Sequence, residues 1–344
     1  MLGTNVGIDL GTTSILIFVE GKGIVVSEPS VVAFDSYTGK LRAIGQKAAD
    51  MVGRNPDSIR VVKPMRNGVI SDFTATKSIM QVLLYKVCKN MVFKPNIVVC
   101  MPSTVTNLEK RTILDLVTAA GAGKACLIEE PLAAALGAGL DISRPLGTMV
   151  VDIGGGTADI AVVTMGSISI SKSIKVAGNA LDEDILRYLR RERNIVIGEK
   201  TAEQIKRKIG CAYLRDVELA VEVKGKHYIT GMPVTAEVTT TEVYLAMREH
   251  LEMIAEGIRE VLEVTPPELA GDISETGILL TGGGALLDGM DTLIKQKTGI
   301  DVTVPENPLE CVAMGTGYAL EHMDILTGNG GIFKTREEIT GFKD

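Results

Sequence analysis

The sequence predicts an α/β protein of two related lobes, each carrying a smaller inserted subdomain. Three observations lead there. First, residues 148–163 run apolar, turn through Asp152-Ile153-Gly154-Gly155-Gly156-Thr157-Ala158-Asp159, and run apolar again, which reads as strand, tight loop, strand. Second, Val6 to Ile17 repeats that pattern around Asp9-Leu10-Gly11-Thr12-Thr13. Third, a polar stretch follows each copy, over residues 35–63 and 179–238, as an inserted subdomain would. The expected first lobe is 1–34 with 64–147, to which 322–344 returns, and the second is 148–178 with 239–321.

Bulk properties agree with two cores. The chain has 344 residues, long for one core, and 45% of them are hydrophobic. Its 36 basic and 43 acidic residues leave a net charge of −7 without blocks of one sign, which argues against nucleic acid as a partner. Five cysteines lack metal-ligand spacing, and Cys100 and Cys126 read as buried free thiols in a reducing cytosol. No signal peptide is visible before the first strand, and no apolar run reaches the roughly 18–20 residues needed to span a bilayer.

Taken in order, the first hairpin is followed by strands at 23–26 and 30–34 and a short helix near Gln46–Asp50. Asp72 opens a helix with Ile79, Met80, Leu83, Leu84 and Val87 at helical spacing. Between it and the strand 96–101 stand Met91, Val92 and Phe93, flanked by Lys89 and Lys94. Two readings are open: these residues finish the helix and enter the core, or they form an exposed apolar tip suited to an anionic bilayer surface. Thr106 and Glu109 have capping-box spacing for a helix that ends at Gly121. The following Gly121-Ala122-Gly123-Lys124 lacks the spacing and hydroxyl of a P-loop and reads as an ordinary turn. Glu129 and Glu130 end a strand, and Pro131 opens a helix of small residues that could serve as a hinge.

Beyond the second hairpin, a strand at 168–176 leads to a helix ending near Arg193. Capping boxes are expected at Thr201–Gln204 and at Thr239–Glu242, the latter starting a long amphipathic helix stopped by Pro266-Pro267. A third glycine loop, Gly282-Gly283-Gly284-Ala285, follows the strand 278–281 and reads as a helix start with free N–H groups for an anion, ribose or base edge. A last helix, Pro308 to about Glu321, carries Ala313, Gly315 and Gly317 at positions permitting close packing.

Consecutive glycines let backbone N–H groups converge on an anion without Cβ atoms in the way. An acid at the lip of such a cradle can hold the divalent cation that accompanies a nucleoside triphosphate. The order of motifs, D-x-G-T-T, E-P before a hinge helix, D-x-G-G-G-T, a K-R helix and G-G-G, resembles the superfamily of actin and DnaK-type chaperone ATPases. Within it, residues 62–73, 127–135 and 264–269 resemble the MreB family of bacterial actins; Thr13-Ser14, where many relatives have Ala-Asn, keeps the glycine and first hydroxyl.

That resemblance implies an actin-like fold of two ribonuclease-H-like lobes and an ATPase using ATP and Mg²⁺. It places Gly11, Thr12 and Thr13 with Gly154, Gly155 and Gly156 around the β- and γ-phosphates, and Asp9 and Asp152 on Mg²⁺ largely through water. Glu130, with Glu129 as its nearest rival, would position the attacking water, helped by Thr157. Glu203, Lys206, Arg207 and the third loop, Gly282 to Ala285, would hold ribose and adenine. Implied partners are further copies of the chain in paired protofilaments, the inner face of the cell membrane through Met91, Val92 and Phe93, and the cell-wall elongation machinery with its membrane adaptors. Rival readings are a monomeric kinase of the same fold, for which no sugar-binding segment or aspartate base is found, and a segregation filament without a membrane loop.

Overall fold

The computed structural model describes residues 5–89 and 93–321. The first hairpin is β1 (Asn5–Leu10) and β2 (Ser14–Val19), continued by β3 (Gly23–Pro29). A small sheet of β4 (Val32–Asp35), β5 (Leu41–Ile44) and β6 (Ile59–Val62), with α1 (Gly45–Ala49), makes the first insert. The chain returns through the two-stranded turn β7 (Met65–Arg66) and β8 (Val69–Ile70) to α2 (Phe73–Cys88), β9 (Asn96–Met101), α3 (Asn107–Ala120), β10 (Lys124–Glu129) and α4 (Glu130–Gly137).

The second lobe repeats this scheme. It comprises the hairpin β11 (Thr148–Ile153) and β12 (Ala158–Thr164), then β13 (Ser167–Ile174). Its insert is α5 (Gly178–Arg193), β14 (Ile195–Val196), α6 (Glu199–Ile209), β15 (Ala220–His227) and β16 (Pro233–Thr239). Then come α7 (Thr240–Val264), α8 (Pro267–Thr276), β17 (Ile278–Thr281), a 3₁₀ turn (Gly283–Leu286), α9 (Met290–Thr298), β18 (Val302–Thr303) and α10 (Cys311–Glu321).

The duplication is visible in the sheets. The first runs β10-β9-β1-β2-β3, and the second, read from its far edge, β18-β17-β11-β12-β13. In each, the hairpin strands pair antiparallel and the two strands added beside them run parallel. Even the register shift repeats, at Ile17/Phe18 in one lobe and Val162/Val163 in the other.

Each sheet has its own apolar core, and a third core joins them: Cys100, Ile128 and Leu132 meet Val150, Leu279 and Val312. The helices α4 and α10 make that junction. Residues 239–321 were expected to complete the second lobe, yet α10 packs across β1, β2 and β9 of the first sheet, while α4 reaches β11 and β12 of the second. Each lobe thus lends a helix to its partner.

The capping boxes at Thr106/Glu109 and Thr239/Glu242 form with both reciprocal bonds. That expected at Thr201 does not, because α6 already begins at Glu199 with Gly198 as its cap, so Thr201 lies inside the first turn. The last helix starts at Cys311 rather than Pro308, whose carbonyl instead accepts a bond from Gly282 N at 2.9 Å. Two helices, α8 and α9, went unpredicted. Cys126 is half-buried, not buried like Cys100.

Candidate functional site

Both aspartate–glycine turns open into the cleft between the lobes. The loops approach so closely that side chains would not fit: a Cβ on Gly155 would lie 1.5 Å from Thr13 Oγ1, and one on Gly156 would meet Thr12 Oγ1 at 2.5 Å and the backbone of Asn67 at 2.9 Å. The β7–β8 turn, Asn67-Gly68, sits against both loops. Its Asn67 adopts left-handed backbone, φ 47°, as an Asn-Gly hairpin turn requires, and Gly68 N donates to Thr12 Oγ1 at 2.9 Å. Gly11 closes its own turn by donating to Ser14 O at 3.0 Å. In the second loop Gly154 N donates to Thr157 O, and the Thr157 side chain is buried.

Acids gather beneath these turns. Burial first, then the charge of Asp152, pushes Asp9 up to about 7. Burial, together with the charge of Asp159, raises Asp152 to about 6, although Thr281 Oγ1 donates to it at 2.6 Å. Asp159, fully buried, is raised by desolvation and accepts a bond from Ser103 N of the opposite lobe at 3.3 Å. Glu130, at the first position of α4, is pushed well above the carboxylate range by burial and then by Asp159, Asp152 and Asp9. Burial likewise raises the Cys100 thiol beside Asp9, Glu130 and Asp152.

Four like-charged acids sharing a desolvated cleft form a site short of positive charge. Among the described residues no three acids stand close enough to hold a metal ion directly. The donor set therefore fits magnesium held largely through its waters, the mode this ion favours, and the glycine cradle a Cβ would fill fits phosphate.

The sign of the pH effect follows. An unfolded aspartate titrates near pH 4, roughly 3.9, and each unit of upward displacement is about 1.4 kcal/mol. In the nucleotide-free protein Asp9 and Asp152 therefore cost nothing at acidic pH, and stability falls as pH rises from about 4 through 6 to 7. Added magnesium nucleotide relieves that cost only where the acids are ionised. Differential scanning fluorimetry is expected to show a larger ligand-induced rise in Tm at pH 8 than at pH 5.5, and Asp9→Asn is expected to shrink the difference.

The remaining predicted residues divide. Lys206 reaches the loop: its Nζ donates to Gly178 O at 2.6 Å and pairs with Asp182 at 2.8 Å. Arg207 is exposed and pairs only loosely with Glu203, at 3.9 Å on the same helix face. Gly282 is fixed by φ 79° and by the carbonyl of Ile153, which a Cβ would meet at 2.4 Å; a Cβ on Gly284 would strike the Ile153 side chain. Gly283 to Leu286 form a 3₁₀ turn rather than the expected α-helix start, because Gly282 and Gly289 take left-handed backbone on either side. So short a turn adds little dipole; Gly283 is exposed and Ala285 half-buried. Met91 and Val92 lie outside the described residues, and Phe93 is exposed. Sequence reasoning assigned no role to Asp159, Thr281, Ser103 or Asn67.

Two ion pairs of opposite polarity bridge the inserts at the cleft mouth. Lys63 pairs with Glu199 at 2.5 Å, and Lys200 with Asp50 at 3.0 Å. Exposed pairs are individually weak, but these two join the same two inserts. Lys63→Glu is expected to speed release of a fluorescent nucleotide a few-fold in stopped flow, and adding Glu199→Lys to restore it.

Comparison with known proteins places this architecture. The family model for MreB/Mbl protein matches residues 3–328. Cell shape-determining protein Mbl of Bacillus subtilis (strain 168) is 45% identical over 327 residues, 95% of this chain and 98% of the relative. Cell shape-determining protein MreB of Escherichia coli (strain K12) is 44% identical over 335 residues, 96% of each chain. The crystal structure of Spiroplasma citri MreB5 bound to ADP superposes with a TM-score of 0.90 at 36% identity, covering 95% of this chain and 99% of that one. The same protein bound to AMPPNP gives the same score. The fold is the actin-like one, and the chain belongs to the MreB/Mbl family.

Proposed function

We propose that the chain is a nucleotide-dependent polymerising ATPase whose filaments lie on the inner face of the cell membrane, organise cell-wall elongation and maintain cell shape. The observation that carries the reading is the pair of duplicated phosphate loops, in contact across a cleft of four acids. Supporting it, relatives at 44–45% identity are named as cell shape-determining proteins, and a neighbour at 36% identity binds ADP and AMPPNP. ATP would sit between the turns, with Asp9 and Asp152 around its magnesium and Glu130 and Thr157 at the water. Bound magnesium would neutralise charge developing on the phosphates; the protein's share is to position groups. Because the nucleotide touches both lobes, its state biases their relative rotation, and copies adding to a filament select one rotation.

The membrane part rests on one end of the first sheet. There Asn5 accepts from Glu20 N, Asn96 bonds Asn5, and Gly123 N donates to Pro95 O, so the strand starts and their turns lie together. Phe93 is exposed at that end, with Lys22, Lys86, Lys89, Lys94 and Lys124 exposed around it, none in an ion pair among the described residues. An apolar tip ringed by lysines suits an anionic bilayer. Among the described residues no helix is long and apolar enough to cross a membrane.

Light scattering is expected to rise when ATP and magnesium are added, and the filaments to co-sediment with anionic liposomes. Phe93→Ser with Met91→Ser should lower liposome binding while leaving scattering intact. A chain that hydrolyses ATP without scattering would be a monomeric enzyme; scattering with unchanged liposome binding in that variant would sink the membrane claim.

A further inference from the structure

At the same lysine-rich end, a groove of about 440 Å³ opens between α2 and the β2–β3 turn, large enough for a small ligand. Its lining is mixed: Val26 and Val87 are half-buried beside Ser27, and Val19 and Leu83 form a buried floor beneath them. Val25 stands at the mouth, 42% exposed. Lys22 and Lys86 flank the opening, and neither makes an ion pair among the described residues. The one acid in the lining, Glu28, is committed elsewhere, since its Oε2 accepts from Gln46 N at 2.8 Å. Two cations without an ion pair beside three accessible valines, in a chain of net charge −7, complement an anionic amphiphile.

We infer that this groove binds a single anionic phospholipid of the membrane, its phosphate between Lys22 and Lys86 and its glycerol and upper acyl carbons against Val25, Val26 and Val87. The groove shares its end of the sheet with Phe93, and α2, which supplies Leu83, Lys86 and Val87, runs toward that tip. A lipid held there is drawn from the leaflet that the tip enters. The inference rests on the membrane reading above and adds headgroup selection to it. An inserted apolar tip responds to the bilayer as a whole, whereas a groove recognises one molecule and saturates.

The test titrates the full chain with dihexanoyl phosphatidylglycerol below its micelle concentration, by isothermal titration calorimetry, with dihexanoyl phosphatidylcholine as the neutral comparison. Saturable one-to-one binding of the anionic lipid is expected. Lys22→Glu with Lys86→Glu should weaken it at least about tenfold, because both phosphate contacts are charge-assisted. Val25→Trp keeps both lysines but fills the mouth, and should weaken it comparably. Phe93→Ser should lower liposome co-sedimentation and leave the short-chain titration unchanged, which separates failure of the groove from failure of the tip. Equal binding of the two lipids, or anionic binding indifferent to Val25→Trp, would overturn the proposal. So would binding that appears only after residues 329–344 are removed, since the groove would then belong to the chain's own tail.

Discussion

Glu130→Ala is expected to lower the single-turnover rate of ATP hydrolysis about 10²–10⁴-fold, the range for removing a positioned general base, with nucleotide affinity kept within a few-fold. The residue follows the last residue of β10 directly and begins α4, so strand end and helix start together fix its backbone, and Pro131 keeps the first turn rigid. Its carboxyl faces Asp159, Asp152 and Asp9, and their charges, after burial, hold its proton. A positive charge brought among these acids lowers all four pKa values. On the proposed reading Glu130 would be a poor base without metal nucleotide and a better one with it, which would couple hydrolysis to binding. Glu129, the rival, is the N-cap residue and makes no side-chain cap. Its replacement by alanine should change the rate only a few-fold. Phosphate release after mixing with ATP and magnesium, beside fluorescent-nucleotide binding, decides between them. A Glu130→Ala protein that hydrolyses at the normal rate with normal affinity would remove the assignment.

What was legible in the sequence was local or repeated. Asp9 and Asp152 announce their turns because a Gly-rich break between apolar runs needs only neighbouring residues to be read. The second copy implies the two-lobed fold, and matching strand order and register shifts bear out the duplication. The clasp between Lys63 and Glu199 spans 136 positions, and the bond from Ser103 to Asp159 spans 56; no periodicity carries such pairs. Asn67 lies within the family-like segment 62–73 yet carries no sequence signal of its role, because its contact with Gly156 is made across the two lobes. The missed helices α8 and α9 are short and lie beside prolines and glycines, where breaker residues mask helical spacing. Thr201–Gln204 shows the reverse error: the residues of a capping box occurred one turn inside a helix already begun at Glu199.

Gly315→Ala is expected to destabilise the whole molecule more than any other single methyl group added to its helices. A Cβ there would sit 1.7 Å from the carbonyl oxygen of Ala133 and 2.5 Å from its carbon. Those are backbone atoms inside α4, which no rotamer change can move. Gly137 presents the same demand from the other side, with its Cβ position 1.8 Å from Cys311 O. Overpacking of a core costs about 1–3 kcal/mol, occasionally more, and a clash between two backbones belongs at or above the upper end. The comparison is Gly271→Ala in α8, where nothing lies within 4 Å, so the gain in helix propensity, up to about 1 kcal/mol, should raise stability. Thermal melting of the three proteins should therefore order Gly271→Ala above wild type and Gly315→Ala far below it. Equal melting of Gly315→Ala and wild type would mean that α4 and α10 do not cross in backbone contact. The loss should also reach function, because α10 rests on the first sheet and α4 on the second. The crossing is a contact of small residues flanked by the packed side chains of Leu132 and Val312, and it joins the two lobes. Prising it apart by one methyl group moves both phosphate loops at once, so a Gly315→Ala protein that still folds should bind nucleotide weakly even though no residue of the cleft has changed.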